Sequence, residues 1–265
     1  MPSSRKTAIV TGSATGVGAS CAVQLAQRGC NVIVNYTKSQ AEAEATAALC
    51  RQAGAEVIVF QGDVGQDEAC QGMAKAALEA WGRIDYLVSN AARTKFNPYE
   101  ELDGLSADDF LAIYRVNVVG AYQMVRACAP AMKAQGAGSV VMVSSIGGVT
   151  GIASSMAYAS SKAALNMLTK SLALTLGPEI RVNAICPGMI QTRWLKAGLD
   201  DERYDATVKV GIELSPLKKV STPDEVAETI VYLLEGAPIL TGQVLLNDAG
   251  VHLGRLPPMS SRKAT

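Results

Sequence analysis

The chain has 265 residues, 49% of them hydrophobic and 18% charged, and its 24 basic and 24 acidic residues give a formal net charge of zero. This length and apolar content predict a globular chain with a sizeable buried core, and no stretch approaches the ~18 uncharged apolar residues of a membrane span. The balanced charge, without a basic block, excludes a surface built for nucleic acid or an anionic membrane. We therefore expect a cytoplasmic protein whose partner is a small molecule.

The six cysteines lie far apart along the chain and form no Cys-x-x-Cys pair. This pattern predicts buried, reduced thiols. The single histidine, His252, excludes a His-based metal cluster, and it excludes a Ser-His-Asp triad unless that residue serves. We expect a structural role for His252 and no metal site.

Short apolar runs alternate with amphipathic stretches along the chain. In chain order, the pattern predicts strand 7–11, helix 17–28, strand 31–35, helix 41–53, strand 56–60, helix 67–81 and strand 84–88. Ser106 is the predicted N-cap of one long helix over 107–133, and strand 139–143 follows.

The second half of the chain is predicted to contain more loop. Residues 144–156 are rich in Ser, Gly and Thr and indicate a loop that leads into a helix. Strand 180–185 follows, and residues 189–216 are expected to be irregular or weakly helical and to form a substrate lid. Thr222-Pro-Asp-Glu225 has the capping-box arrangement of a helix start, and the last strand is predicted at 244–246.

Strands that are nearly all apolar, each followed by a helix, predict a parallel sheet covered on both faces. We therefore expect an α/β chain with a single doubly wound Rossmann-type domain and a seven-stranded parallel sheet. This domain spans residues 1–265, because no linker or repeat interrupts it, and residues 254–265 form a polar tail that could be mobile.

A glycine-rich segment, Thr11-Gly12-Ser-Ala-Thr-Gly16-Val-Gly18, connects the first predicted strand to the first helix. Glycines at such a turn let the backbone approach a pyrophosphate held at the helix N-terminus. A glycine loop alone is a weak signal, but its position between strand and helix favours dinucleotide binding over a purely structural turn.

Tyr158 and Lys162 are four residues apart, so a helix would place their side chains side by side. A neighbouring ammonium favours the phenolate, and we expect it to lower the pKa of Tyr158 toward the range of an acid-base catalyst. The spacing alone also fits a tyrosine packed on a surface helix beside a solvated lysine.

Taken together, these motifs resemble those of the short-chain dehydrogenase/reductase family over residues 6–253. The glycine spacing, the Tyr158-x-x-x-Lys162 pair and Ser145, thirteen residues before the tyrosine, follow the family order. So do Asp63, Asn90-Ala-Ala92, Asn117 and Pro187-Gly-Met-Ile-Gln-Thr192. One departure is Ala92, because the family usually has glycine there.

The resemblance implies four catalytic residues. Tyr158 would protonate the substrate oxygen, and Ser145 would hydrogen-bond to the same oxygen. Lys162 would lower the tyrosine pKa and hold the nicotinamide ribose, while Asn117 would position water that links the lysine to solvent. The implied cofactor-binding residues are Gly12, Ser13, Thr15, Gly16, Val17, Gly18, Tyr36, Thr37, Lys38, Ser39, Asp63, Val64, Asn90, Ala91, Tyr158, Lys162, Pro187, Gly188, Ile190 and Thr192.

The choice between NAD and NADP depends on the end of the second strand, where an acidic residue binds the ribose 2′-hydroxyl in NAD-specific proteins. This chain has no carboxylate there before Glu42, whereas Thr37, Lys38 and Ser39 offer donors to a 2′-phosphate. NADP is therefore preferred and NAD remains possible, since Thr15 stands where many NADP-preferring relatives carry a basic residue.

The expected activity is hydride transfer between NADP(H) and a ketone or secondary alcohol, by an enzyme that is commonly a homotetramer formed through the long helix and the tyrosine-bearing helix. A 3-oxoacyl carrier protein reductase is a variant of this hypothesis, although residues 134–139 lack the basic side chains that would meet an acidic carrier. A non-catalytic dinucleotide sensor or scaffold is the alternative, and the physiological direction of the reaction is open.

The substrate pocket is expected to be apolar. Residues expected near its mouth are Ile146, Ile152, Ala153, Met189, Trp194 and Leu195.

Overall fold

The computed structural model describes residues 5–197 and 200–254. Its centre is one sheet of seven parallel strands in the order β3-β2-β1-β4-β5-β6-β7, which confirms the predicted doubly wound fold. The order reverses direction between β1 and β4, and ligands of such sheets bind at the carboxyl ends of the strands beside that point. The strands are β1 (Thr7–Val10), β2 (Asn31–Tyr36), β3 (Val57–Gln61), β4 (Tyr86–Ser89), β5 (Gly138–Val143), β6 (Ile180–Pro187) and β7 (Val244–Asn247).

Helices cover both faces of this sheet. Alternate strand residues point to opposite faces, so Ala8 and Val10 of β1 enter the core under α1, α2 and α10, whereas Ile9 enters the core under α3, α5 and α7. The helices are α1 (Gly16–Gln27), α2 (Gln40–Gln52), α3 (Asp67–Trp81), α4 (Ala107–Tyr114), α5 (Ala121–Ala134), α6 (Gly147–Thr150), α7 (Met156–Leu176), α8 (Arg193–Ala197), α9 (Asp201–Leu214) and α10 (Pro223–Glu235).

The predicted long helix exists but is not uniformly α-helical. Its start is the predicted one, because Ser106 caps α4 in a capping box with Asp109. Between α4 and α5, residues Arg115–Gly120 form a π-helical turn that contains Asn117. Such turns are frequent at functional sites, and apolar periodicity alone does not reveal a one-residue change in hydrogen-bond spacing.

The segment predicted as a loop at 144–156 contains a short helix, and the segment predicted as irregular or weakly helical at 189–216 contains two helices. The loop after β5 includes α6, which ends at Gly151 in the left-handed region with φ 80°. The proposed lid contains α8 and α9, and α9 begins behind Asp200, whose side chain accepts a hydrogen bond from the Arg203 amide. The sequence does not reveal this N-cap, because the segment lacks a strong apolar stripe.

The C-terminal tail and part of the lid lie outside the described ranges, whereas all six cysteines lie within them. The tail expected at 254–265 lies outside the described residues from 255 onward, as do residues 198–199 of the lid. All six cysteines are buried and unpaired, as predicted. Within the described ranges, no helix has both the length and the apolar character needed to cross a bilayer.

Candidate active site

Tyr158 and Lys162 lie one turn apart on α7, at the edge of the sheet where the strands end. The helix begins behind Ser155, whose hydroxyl accepts a hydrogen bond of 3.3 Å from the Tyr158 amide. The Lys162 Nζ atom lies 5.5 Å from the centroid of the Tyr158 ring. The two side chains are therefore neighbours, as the four-residue spacing predicts.

Ser145 follows β5 directly and meets the tyrosine from the neighbouring turn. The turn is held against β6 by two backbone hydrogen bonds, from the Ser144 amide to the Ile185 carbonyl and from the Ile146 amide to the Pro187 carbonyl, of 2.8 and 3.0 Å. The Ser145 hydroxyl accepts a hydrogen bond of 3.1 Å from the Gly147 amide, and it lies near enough to the Tyr158 hydroxyl to lower the pKa of that phenol. Two hydroxyl groups distant in sequence thus converge on one point.

The prediction that Lys162 lowers the pKa of Tyr158 is wrong in this structure. Burial raises the pKa of the Tyr158 hydroxyl well above its ordinary value of 10, and the neighbouring Ser145 hydroxyl opposes that rise only in part. Burial also lowers the pKa of Lys162 to about 8, since the side chain is 2% exposed. Its ammonium donates to the Val143 carbonyl at 2.7 Å and not to the phenol, and four-residue spacing cannot reveal that choice.

Asn117 is buried in the π-helical turn and holds parts of the site together. Its Oδ1 atom accepts a hydrogen bond from the Arg93 amide at 2.7 Å, and its Nδ2 atom donates to the Arg93 carbonyl and to the Ser161 hydroxyl at 3.0 and 2.9 Å. The side chain therefore joins α7 to the segment after β4. The water-positioning role expected for Asn117 stays a prediction.

The glycine loop packs so closely that two of its positions exclude a side chain. Gly12 has φ 61°, and a Cβ there would lie 2.9 Å from the Ala91 Cα atom. A Cβ on Gly18 would lie 2.6 Å from both the Asn90 Nδ2 atom and the Gly12 carbonyl oxygen. Gly16, with φ 60°, opens α1 in the left-handed region that favours glycine.

Two polar residues of this region were missed as site residues by sequence reasoning. The Asn35 Oδ1 atom accepts a hydrogen bond of 2.9 Å from the Gly12 amide, and its Nδ2 atom donates to the Phe60 and Gly62 carbonyls. The Thr11 hydroxyl accepts hydrogen bonds from the Asn90 and Ala91 amides at 2.9 and 3.0 Å. Asn35 follows the apolar run Val-Ile-Val in β2, and a polar residue at the end of such a buried strand was the available signal.

Several predicted cofactor residues serve the loop itself. Ser13 is fully buried, with its hydroxyl donating to the Val10 carbonyl and accepting from the Asn35 amide. The Asn90 carboxamide donates to the Thr11 and Gly12 carbonyls at 2.9 and 3.0 Å. These side chains fix the path of the backbone around Gly12.

The other predicted cofactor residues line the carboxyl edge of the sheet. Tyr36, the last residue of β2, is buried; Thr37 and Lys38, which follow it, are exposed, and Ser39 is the N-cap residue of α2. After β3, the carboxylate of Asp63 accepts a hydrogen bond from the Gly65 amide. The remaining members are Thr15 and Val17 at the start of α1, Val64 after β3, Ala91 after β4, and Pro187, Gly188, Ile190 and Thr192 at and beyond the end of β6.

This edge fits an anionic dinucleotide. The first amides of a helix have no carbonyl partner within it, and in the described part of the chain the Thr15 side chain does not cap α1. Those amides, at the positive end of the helix dipole, suit a pyrophosphate. The hydroxyls of Thr37 and Ser39 and the ammonium of Lys38 extend the donor set along the same edge.

The short helix α8 carries two residues across this cleft. The Trp194 ring packs edge-on against the Tyr158 ring, with centroids 6.1 Å apart and an interplanar angle of 63°. The preceding residue, Arg193, hydrogen-bonds to the Ser39 hydroxyl and pairs with the Glu42 carboxylate. Trp194 thus lies beside the tyrosine, as the sequence predicts for a pocket residue, whereas the reach of Arg193 was not predicted.

Comparisons with known proteins agree with this geometry. A family model described as enoyl-(acyl carrier protein) reductase matches residues 12–252. A protein of Streptomyces violaceoruber, assigned as ketoacyl reductase 2 of the granaticin polyketide synthase, is 37% identical over 246 residues, which are 93% of this chain and 96% of that one. An L-rhamnose 1-dehydrogenase (NAD(P)(+)) of a Sphingomonas strain is 34% identical over 94% of this chain and 96% of its own.

A solved structure gives the same result in three dimensions. The crystal structure of a protein of Burkholderia xenovorans, assigned as a short-chain dehydrogenase/reductase, superposes with a TM-score of 0.88 at 39% identity. The match covers 95% of this chain and all of that one. The chain belongs to the short-chain dehydrogenase/reductase family of NAD(P)-dependent oxidoreductases.

Proposed function

We propose that the protein transfers a hydride between NADP(H) and a ketone or secondary alcohol, with Tyr158 as the general acid and base. The observation that carries this proposal is the convergence of the Ser145 and Tyr158 hydroxyls beside the buried ammonium of Lys162. A carbonyl oxygen that gains negative charge needs donors at that point. A sensor or scaffold would need no such proton donor, and the relatives are named as reductases and dehydrogenases.

The proton chemistry follows from burial. Because the pKa of Tyr158 is raised, its phenol stays protonated at neutral pH, which is the form that a carbonyl reduction requires. Tyr158 donates this proton to the substrate oxygen while Ser145 donates a hydrogen bond to the same atom. When bound, the dinucleotide supplies or accepts the hydride.

Lys162 supplies a positive charge next to the tyrosine. With a pKa of about 8 the ammonium is mostly protonated at pH 7, and it has donors left beyond the hydrogen bond to Val143. These donors would hold the ribose hydroxyls of the nicotinamide half. Asn117 would fix Arg93 and α7, and so keep Tyr158 in place.

The preference for NADP(H) rests on the end of β2. Lys38 is exposed there, and no carboxylate among the described residues pairs with it. The nearby carboxylate of Glu42 is engaged by Arg193. The name of the L-rhamnose relative includes both cofactors, so NAD binding at lower affinity is expected as well.

The substrate is proposed at the level of its class. The aromatic ring of Trp194 beside Tyr158 supports a partly apolar substrate. The turn between α5 and β5, at Gln135, Gly136 and Ala137, is exposed and carries no basic side chain to meet an acidic carrier protein. A free ketone or alcohol is therefore favoured over a carrier-bound 3-oxoacyl group.

A homotetramer is part of the proposal. The outer faces of α4, the π-helical turn, α5 and α7 expose large apolar side chains, and Leu174 and Leu111 are 87% and 67% exposed. Large apolar side chains left exposed on helices that pack side by side favour a protein interface there. The exposed residues on these helices include Leu111, Val119, Tyr122, Met167 and Leu174.

NADPH absorbance, followed against a panel of ketones, sugar lactones and 3-oxoacyl thioesters, tests the activity directly. We expect substrate-dependent oxidation of NADPH, faster with free ketones than with carrier-bound thioesters. Cofactor binding without turnover on any member of the panel, in either direction, would favour the sensor hypothesis instead.

A further inference from the structure

Arg193 connects the lid to the opposite side of the cofactor cleft. Its Nη2 atom donates to the Ser39 Oγ atom at 2.8 Å, and its Nη1 atom pairs with the Glu42 Oε1 atom at 2.5 Å. Arg193 and Ser39 are 154 positions apart in the chain. No local sequence pattern calls for this contact, so it reflects how the two segments meet across the carboxyl edge of the sheet.

Arg193 reaches the segment after β2 that is expected to bind the adenosine ribose. Ser39 lies three residues beyond the end of β2, and this is where doubly wound folds place the adenosine ribose, whose 2′ substituent distinguishes NADP from NAD. The Lys38 ammonium is adjacent in the chain. A 2′-phosphate at this point would meet a guanidinium, an ammonium and a hydroxyl.

The partner that Arg193 holds can be exchanged. The Arg193 and Glu42 side chains are 56% and 43% exposed, and ion pairs of such exposure contribute little to stability. A guanidinium presents two parallel N–H groups that match a phosphate at least as well as a carboxylate. A phosphate dianion can therefore replace Glu42 while the hydrogen bond to Ser39 remains.

Neighbours of Arg193 extend along the cleft in both directions. The Thr192 Cγ2 atom lies 3.5 Å from the position that a Cβ on Gly16 would take, so this residue borders the glycine loop. Trp194 packs against the Tyr158 ring. Residues 192–194 thus lie beside the glycine loop, in contact with Ser39 and in contact with Tyr158, so that a movement of α8 changes contacts at both ends of the cleft.

We propose that Arg193 recognises the cofactor 2′-phosphate and, through α8, couples that recognition to the placement of Trp194 against Tyr158. Arg193 is then a specificity-determining residue, and Trp194 is its positioned neighbour at the substrate side. The inference rests on the proposed use of NADP(H), and it adds a residue outside the β2 end to the set that reads the 2′ position.

Calorimetric titration of the whole protein with NADP⁺ and NAD⁺ tests the recognition. Arg193→Ala should weaken NADP⁺ binding by about tenfold and leave NAD⁺ binding nearly unchanged, because one charge-assisted contact to the phosphate is lost. Glu42→Gln should strengthen NADP⁺ binding, since it removes the competing carboxylate. Arg203→Ala is the matched control, because Arg203 is an exposed lid arginine that pairs with Asp200 at the start of its own helix.

Fluorescence of Trp194 tests the coupling without any turnover. The chain has two tryptophans, and Trp81→Phe leaves Trp194 as the sole reporter. Adenosine 2′,5′-bisphosphate contains the phosphate but no nicotinamide, so it cannot quench Trp194 by direct stacking. We expect it to change Trp194 emission in the Trp81→Phe protein, ADP to have a smaller effect, and Arg193→Ala to abolish the difference. If Trp81→Phe destabilises the fold, the Trp194 signal is obtained by subtracting the emission of a Trp194→Phe protein from that of the unchanged protein.

The outcomes separate the two proposals. Equal NADP⁺ and NAD⁺ affinity in the unchanged protein would refute the cofactor preference, and the inference with it. A clear NADP⁺ preference that Arg193→Ala preserves would refute the role of Arg193 alone. If Arg193→Ala abolishes the NADP⁺ preference, but adenosine 2′,5′-bisphosphate leaves Trp194 emission unchanged in the Trp81→Phe protein, the coupling to the substrate side is refuted.

Discussion

Replacing Lys162 by methionine should remove activity without destabilising the fold. The lysine is 2% exposed, and burial lowers its pKa from 10.5 to about 8. This difference in pKa means that burying the charged ammonium lowers the free energy of unfolding by about 3 kcal/mol at pH 7. Methionine has a similar length and removes this cost, but it leaves the Val143 carbonyl without its 2.7 Å donor, which costs about 1–3 kcal/mol.

The dependence on pH distinguishes this explanation from ordinary packing effects. Because the folded pKa of Lys162 lies below the unfolded one, the unfolded chain binds more protons between about pH 8 and 10.5, and the stability of the unchanged protein rises with pH there. Lys162→Met lacks this rise. From pH 7 to 9.5 the unchanged protein should therefore gain roughly 2 kcal/mol relative to the variant.

Urea unfolding of both proteins at pH 7 and 9.5 measures this difference, since other titrating groups are common to both and cancel. At pH 7 the variant should be as stable as the unchanged protein or up to about 2 kcal/mol more stable. Lys170→Met, at an exposed position of the same helix, is the control and should show no such trend. A stability difference that stays constant with pH would contradict a buried, partly deprotonating Lys162.

Three further variants test the cofactor site and the assembly. Lys38→Ala should weaken NADPH binding about tenfold more than NADH binding, and equal loss for both would contradict a phosphate contact. Gly18→Ala should abolish dinucleotide binding, because its Cβ would lie 2.6 Å from the Asn90 Nδ2 atom; Gly29→Ala, with φ 85° but nothing within 4 Å of the added Cβ, should lower stability and preserve binding. Leu174→Glu should reduce the mass measured by light scattering, and an unchanged tetramer would place the interface elsewhere.

The strands, the glycine loop and α7 could be predicted because each has a strong local signal. Apolar runs mark buried parallel strands, and capping residues such as Ser106 and Thr222 mark helix starts, both of which the structure contains as capping boxes. The proximity of Tyr158 and Lys162 likewise follows from helical spacing alone.

What could not be predicted depends on contacts between distant segments. The contact of Arg193 with Ser39 joins residues that share no periodic pattern. The Lys162 ammonium donates a hydrogen bond to the Val143 carbonyl and none to the phenol, and the four-residue spacing does not resolve which acceptor it takes. The expected lowering of the Tyr158 pKa is wrong because burial raises that pKa, and the extent of burial depends on tertiary packing that the spacing does not show.

The role of Tyr158 as proton donor is tested most directly by the Tyr158→Phe variant. Its turnover of a ketone that the unchanged protein reduces and its affinity for NADPH are measured together. Removing one hydroxyl takes away the proton donor and leaves the glycine loop intact. We expect turnover to fall by at least about a hundredfold while the Kd for NADPH stays within a few-fold of its original value. Turnover that persists near its original rate would contradict the role of Tyr158 and the proposed mechanism with it.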